Sequence, residues 1–388
     1  MTCHVLVVGG GVIGAATACF LASRHGLRAT VLERDPSYRR ASSALSASSI
    51  RQQFSTEVNI RLSQASLDFY RRIGDELAVD GEGPEIGLTE RGYLFLASDA
   101  GVDALRANHA VQRACGAEVS LLDRAALSAR LPWLNLAGIA AGALGERGEG
   151  WFDGYAVLQA FRRKALALGV RFEHCDVGSI DCANGGVRGV VGVDGRRFDA
   201  DVLLIAAGAW SAPLAAQLGF DLPVAARKRD VFVLSSPAEL PRCPLVIDPS
   251  GVWFRPEGRG FIAGCPPRGD DFDDAPLEAI DHGLFDEVIW PTLAHRVPAF
   301  EALRATGAWA GYYEYNTFDQ NGIVGRLPGC ANAFVGCGFS GHGIQQAPAL
   351  GRALAELIAL GRYETLDLSP LSPLRIIDRR PLLERNVI

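Results

Sequence analysis

Hydrophobic positions mark the elements before any chemistry does. Val5-Leu6-Val7-Val8 is an unbroken apolar run, the pattern of a strand buried on both faces. The apolar spacing then lengthens, and residues 12 to about 24 predict a helix, followed by a second strand over 28–32 that ends in Glu33. After a Ser/Ala-rich loop at 40–51, residues 56 to about 78 place Val58, Ile60, Leu62, Ala65, Leu67, Phe69 and Ile73 on a helical face, with Thr56 as N-cap. Residues 92–97 predict a strand, 101–130 a helical stretch and 138–150 a glycine-rich connection. A helix is predicted from Asp153 to about 168, with strands near 170–174 and 187–193. Val202-Leu203-Leu204-Ile205 reads as another buried parallel strand running into a small-residue turn. Across 223–315 the pattern alternates, as in Val231-Phe232-Val233-Leu234 and Val252-Trp253-Phe254, which predicts antiparallel strands. A strand returns near 333–335, then a glycine run at 336–343 and a helix from 344 to about 360.

This order predicts an α/β protein, a Rossmann-like nucleotide-binding domain with an interleaved, mostly antiparallel α+β substrate domain. The nucleotide-binding part would be assembled from 1–80, 150–220 and 320–388, and the substrate domain from 81–149 and 221–319. The chain of 388 residues is long enough for two such units. A net charge of −6 gives nucleic-acid binding no electrostatic support. Its short basic groups, Arg71-Arg72, Arg162-Arg163-Lys164 and Arg379-Arg380, read as helix faces or a tail. Nine scattered cysteines without C-x-x-C spacing fit reduced thiols in a cytoplasmic setting and no metal site. The apolar start lacks a basic n-region and is not expected to be an export signal, and no apolar run is long enough for a membrane span.

The chemistry begins at the first turn. Gly9, Gly11 and Gly14 have G-x-G-x-x-G spacing. The first makes the tight strand-to-helix turn, the second admits a pyrophosphate close to backbone, and the third lets helix and strand pack closely. The helix that starts at Val12 and Ile13 turns its free N–H groups and positive dipole end toward phosphates. Glu33 lies nineteen residues beyond Gly14, where a carboxylate meets a ribose hydroxyl.

Three separated motifs, the fingerprint with Glu33, the 203–208 strand and turn, and the 336–343 run, together resemble the FAD-dependent D-amino-acid oxidase/sarcosine oxidase family. The stretch from Gly311-Tyr312-Tyr313-Glu314-Tyr315-Asn316-Thr317-Phe318-Asp319 to Gly338-Phe339-Ser340-Gly341-His342-Gly343 looks most like monomeric sarcosine oxidases. It is also similar to the FAD-dependent oxidoreductase-domain protein of mitochondrial complex I assembly, as is Arg51-Gln52-Gln53-Phe54. The resemblance implies FAD and hydride transfer from a small amino acid or N-substituted amino acid to flavin N5, giving an imine that hydrolyses. The acceptor would be oxygen or an electron carrier. Two other readings stay open: a D-amino-acid or 2-hydroxy-acid dehydrogenase with a non-oxygen acceptor, and a flavin-holding assembly protein with little catalysis.

The resemblance also implies sites. Arg34, Ser42, Ser43, Ser49, Val177, Ala207, Gly208 and Trp210 would join the fingerprint in holding FAD, with Gly338, Ser340, Gly341, His342, Gly343 and Ile344 around the ring. Arg51 falls where relatives anchor a substrate carboxylate, a task for a planar guanidinium fork. Gln345 replaces a lysine that assists it, and Gln346 is the alternative. Arg255 replaces a lysine over the flavin that promotes reaction with oxygen; the plainer reading is an exposed arginine at a strand end. His342 is a candidate base or cofactor contact, or a loop histidine. Tyr312, Tyr313 and Tyr315 would line the substrate face. Tyr312 stands where monomeric sarcosine oxidases attach FAD through cysteine, so non-covalent FAD is expected.

Overall fold

In the computed structural model, which describes residues 3–268, 271 and 273–385, a parallel-strand sheet and a larger antiparallel sheet are formed from interleaved segments. The termini of the first and last predicted segments, 1–2 and 386–388, lie outside the described residues. β1 (His4–Val8), α1 (Val12–His25) and β2 (Arg28–Glu33) form the first unit. β1 lies between β2 and the strand Val202–Ile205, parallel to both, with Val5 opposite Ala29 and Val202. Arg171–His174 extends the sheet beyond β2, and Ala333–Cys337 and Ile323–Arg326 extend it on the other side. The carboxyl ends of β1, Val202–Ile205 and Ala333–Cys337 therefore open on one edge, where α/β sheets bind ligands.

α1 is buried almost throughout because it packs against both the helix Gly154–Ala167 and the long helix Gly343–Leu360. Phe20, Phe69 and Phe161 interlock in this layer, with Phe69 and Phe161 stacked at 5.5 Å. Helix Gly343–Leu360 continues through Pro348. Proline cannot donate to the carbonyl one turn back. The Tyr70 hydroxyl donates to that carbonyl of Ile344 instead, at 2.5 Å.

The larger sheet runs in the order Arg304–Asn316, Val224–Ser235, Gly260–Gly264, Trp253–Glu257, Leu245–Ile247, Tyr93–Ala97, Ala141–Gly145 and Val119–Asp123. All its pairings are antiparallel except that of Tyr93–Ala97 with Leu245–Ile247. Three expectations change. The stretch 101–130 divides into helix Val102–Ala114, strand Val119–Asp123 and helix Arg124–Arg130, because Gly116 turns to φ +80° and ends the first helix. The connection 138–150 contains the buried strand Ala141–Gly145, whose small residues pass between two partners. The helix expected over 56–78 also breaks, into Glu57–Arg71 and Ile73–Glu76. Thr56 is its N-cap residue by position only; the Glu384 carboxylate accepts from the Ser55 N–H and the Thr56 hydroxyl.

The sheets meet at the serine-rich loop. Ser42 Oγ donates to the Tyr312 carbonyl at 2.6 Å, and Trp309 Nε1 donates to the Leu45 carbonyl at 2.9 Å. Between them lies one elongated cavity.

Candidate active site

One end of the cavity is the glycine cradle. Gly9 sits at φ +103°, and a Cβ there would lie 2.3 Å from the Ala206 carbonyl oxygen. A Cβ at Gly14 would lie 2.0 Å from the Gly9 oxygen, so backbone against backbone excludes any side chain. Gly14 serves the turn from behind, while Gly9, Gly11, Val12 and Ile13 line the cavity. Glu33 accepts the Gly10 and Asp35 N–H groups, both at 2.8 Å. Burial raises its pKa and those bonds oppose the shift. α1 has no side-chain cap at Gly11, and Ser43 Oγ accepts the Val12 N–H at 3.0 Å. Gly11, Val12 and Ile13, at the start of this helix, line the cavity, where an anion site is expected.

Further along, Arg34 stacks on Trp210, its Cζ 3.7 Å from the ring centroid, and Val177 lies on the same stretch of wall. Ala207 and Gly208 line the middle, with Ser42 and Ser49 from the serine-rich loop. The last glycine run brings in Ser340, Gly341, Gly343 and Ile344, whereas Gly338 stays behind the wall. Helix Gly343–Leu360 likewise starts without a side-chain cap. Two helix N-termini thus point into one cavity.

The other end carries Arg51 and a group of aromatic side chains. Arg51 is only 3% exposed yet lines the cavity. Its guanidinium lies over Phe54 at 4.3 Å, with Phe95 and Tyr93 also within 6 Å. Its backbone N–H donates to Gln345 Oε1 at 2.9 Å, which brings Gln345 to the same wall. Gln346 is buried behind, donating to Asn59 Oδ1 at 3.2 Å. Tyr313 and Tyr312 both line the cavity, Tyr313 against Gly341, and the Tyr312 hydroxyl donates to the Ala275 carbonyl at 2.8 Å. Behind Arg51, Glu149 accepts the Gln52 N–H at 2.6 Å and Gln53 Nε2 at 2.7 Å. Burial pushes Glu149 up to about 7, against the pull of those bonds and Arg51.

Two expectations are corrected by this geometry. Arg255 is neither exposed nor on the cavity wall: its guanidinium donates to the Ala47 carbonyl at 2.7 Å, pairs with Glu257 and lies over Trp151. Its bond to the Ala47 carbonyl clamps the serine-rich loop. The His342 ring also leaves the cavity and packs edge-on against Phe54 and Phe339. Neither ring nitrogen has a hydrogen-bond partner among the described residues, and burial, aided by Arg51, pushes its pKa down to about 3. A neutral imidazole in an apolar slot is not poised as a base for substrate.

Sequence reasoning missed Glu314, Arg229, Tyr93 and Trp253, all on the cavity wall. Arg229 is held by Asp271 through two bonds of 2.9 and 2.8 Å and lies 5.1 Å from the Tyr313 centroid. The alternating burial of Arg304–Asn316 was the available signal for Glu314, since it shares a face with Ala310, Tyr312 and Asn316.

The residues fit FAD. A phosphate cradle, a ribose-range carboxylate and a second helix N-terminus for a developing negative charge lie along one cavity. A family model described as "FAD dependent oxidoreductase" matches residues 4–357. The chain is 42% identical to FAD-dependent oxidoreductase domain-containing protein 1 of Xenopus laevis, over 99% of this chain and 84% of that protein. It is 29% identical to glycine oxidase of Geobacillus kaustophilus over 97% of each. The structure of L-proline dehydrogenase from P. horikoshii superposes with a TM-score of 0.86 at 25% identity, covering 98% of this chain and 99% of that one.

Proposed function

Since the chain belongs to the FAD-dependent oxidoreductase family, we propose that it oxidises the C–N bond of a small amino acid or N-substituted amino acid. Bound FAD, held in our reading without a covalent link, supplies the two-electron oxidising power. The segments 1–80, 150–220 and 320–388 hold it, and 81–149 and 221–319 shape the substrate end.

The observation that carries this reading is Arg51. A buried guanidinium, braced on Phe54 and tied through its backbone to Gln345, faces a cavity otherwise lined here by Tyr93, Trp253 and Tyr313. Such a fork holds a carboxylate in fixed orientation. The positive site also favours the unprotonated amine, the form that loses hydride. Aromatic walls exclude water and admit a small side chain.

A second reading of the acceptor has its own support. Arg255, in the place of the oxygen-promoting lysine, is engaged with Ala47 and Glu257 outside the cavity wall. That favours an electron carrier over oxygen. Nine cysteines with no disulfide among the described residues support a reducing, cytoplasmic setting. No helix among the described residues is long and apolar enough to cross a membrane.

The test is anaerobic titration of the flavin band near roughly 450 nm with N-methyl, cyclic and D-amino acids, followed by reoxidation with and without air. Bleaching by at least one member, lost in Arg51→Ala at the same concentration, is the expected result. A flavin that no amino acid bleaches would sink the reading and leave a cofactor-holding protein.

A further inference from the structure

Glu314 is a carboxyl where the strand pattern calls for a core residue. On Arg304–Asn316 the buried positions alternate through Ala310, Tyr312, Glu314 and Asn316. Its neighbour across the sheet is Ala226. Only 8% of it is exposed, and it lines the cavity. Oε1 accepts the Phe339 N–H at 3.4 Å, and the Gly338 N–H also points to this carboxyl. Oε2 has no hydrogen-bond partner among the described residues.

The position of that oxygen is specific. A Cβ at Gly208 would lie 3.6 Å from Oε2, and one at Gly343 would lie 3.2 Å from Oε1. Glu314 is thus wedged between the two glycine turns that border the cofactor channel, with its unpartnered oxygen at the wall. A buried polar atom without a partner costs stability, so its retention asks for a ligand. We propose that Glu314 is a direct hydrogen-bonding ligand of bound FAD, its Oε2 meeting the cofactor between Gly208 and Gly343.

The electrostatics say in which form it binds. Burial pushes Glu314 up to about 7, opposed only by the Gly338 and Phe339 N–H groups. The charged and titratable groups around it do not offset this. Cys337, on Ala333–Cys337, is kept a thiol by burial. His342, from the glycine run, has its ring turned to Phe54 and Phe339. Arg227, beside Ala226, is paired with Asp273. The 207–208 turn and Gly343 contribute nothing that titrates. Below neutral pH Glu314 is mainly a neutral carboxyl, which donates through its O–H; as pH rises through about 7 it becomes an acceptor beside an electron-rich ring.

The test uses apoprotein of the full chain, titrated with FAD by fluorescence quenching between pH 6 and 8.5. For wild type the Kd should rise as pH passes neutrality. Glu314→Gln keeps a donor and the shape, and should bind FAD with a Kd that no longer follows pH in that range. Glu314→Leu should raise the Kd about tenfold at pH 6. A leucine variant that binds FAD as tightly as wild type overturns the proposal. So does a glutamine variant that keeps the wild-type pH dependence, and this second comparison decides alone if the leucine protein does not fold. Neither readout depends on which substrate is oxidised.

Discussion

The two ends of the cavity are built on opposite terms. At the cradle each polar group has a partner close by: Glu33 takes two backbone N–H groups and Ser43 takes the Val12 N–H. Toward the other end the burial of ionisable groups is deeper, and Glu314 Oε2 and both His342 ring nitrogens have no hydrogen-bond partner among the described residues, while Glu149 takes two bonds. The first arrangement holds an anion that never changes. The second holds Glu149 and Glu314, whose protonation is open to change near neutral pH, and sites of that kind cluster where chemistry is done.

The contrast is open to attack at both ends. The largest effect belongs to Gly14→Val, whose Cβ would meet the Gly9 oxygen at 2.0 Å. Because neither backbone can yield, the purified protein should carry no flavin at any pH, read as absorbance per chain. A yellow Gly14→Val protein would show that the cradle is not the rigid element described.

Glu149 tests the other end. Its pKa is raised in the folded state, from 4.5 to about 7. Its contribution is therefore fully present below about pH 4.5 and lost as pH rises toward 7. The loss should be on the order of 3 kcal/mol. Chemical denaturation of the apoprotein at pH 5 and pH 8 reads this, and Glu149→Gln should flatten that part of the slope. If both proteins share one slope, the group is ionised throughout.

Arg51→Ala comes next. Loss of a charge-assisted pair should raise substrate KM by about 100-fold with a smaller change in kcat, and Arg51→Lys should recover only part. Equal KM for wild type and both variants would remove Arg51 from the substrate site. The smallest effect is Arg255→Lys, which loosens the clamp on Ala47 and should cost about 1 kcal/mol of stability while KM stays put. A KM that moves more than the melting temperature would return Arg255 to the site.

These outcomes separate what was legible along the chain from what was not. The cradle is local: strand, turn and helix are contiguous, so Gly9, Gly11, Gly14 and Glu33 could be read from spacing. Arg51 and Gln345 each lie beside a motif, and the fold joins them through one hydrogen bond. His342 and Arg255 were misplaced because a motif fixes where backbone passes and not where a ring or guanidinium points. Strand Val119–Asp123 was lost inside a helical window because its apolar positions fit either period over so few residues.

The sequence by itself determined the β1–α1–β2 unit and its phosphate-binding turn, since that unit closes within about thirty residues. Only the tertiary structure decided which ionisable groups lost their water. Glu149 and Glu314 resemble surface carboxylates along the chain. Glu149 is buried where Gln52 and Gln53 close on the Ala141–Gly145 strand, and Glu314 where the Arg304–Asn316 strand meets the 207–208 turn and the last glycine run. Desolvation is a property of that closure, and no single segment contains it.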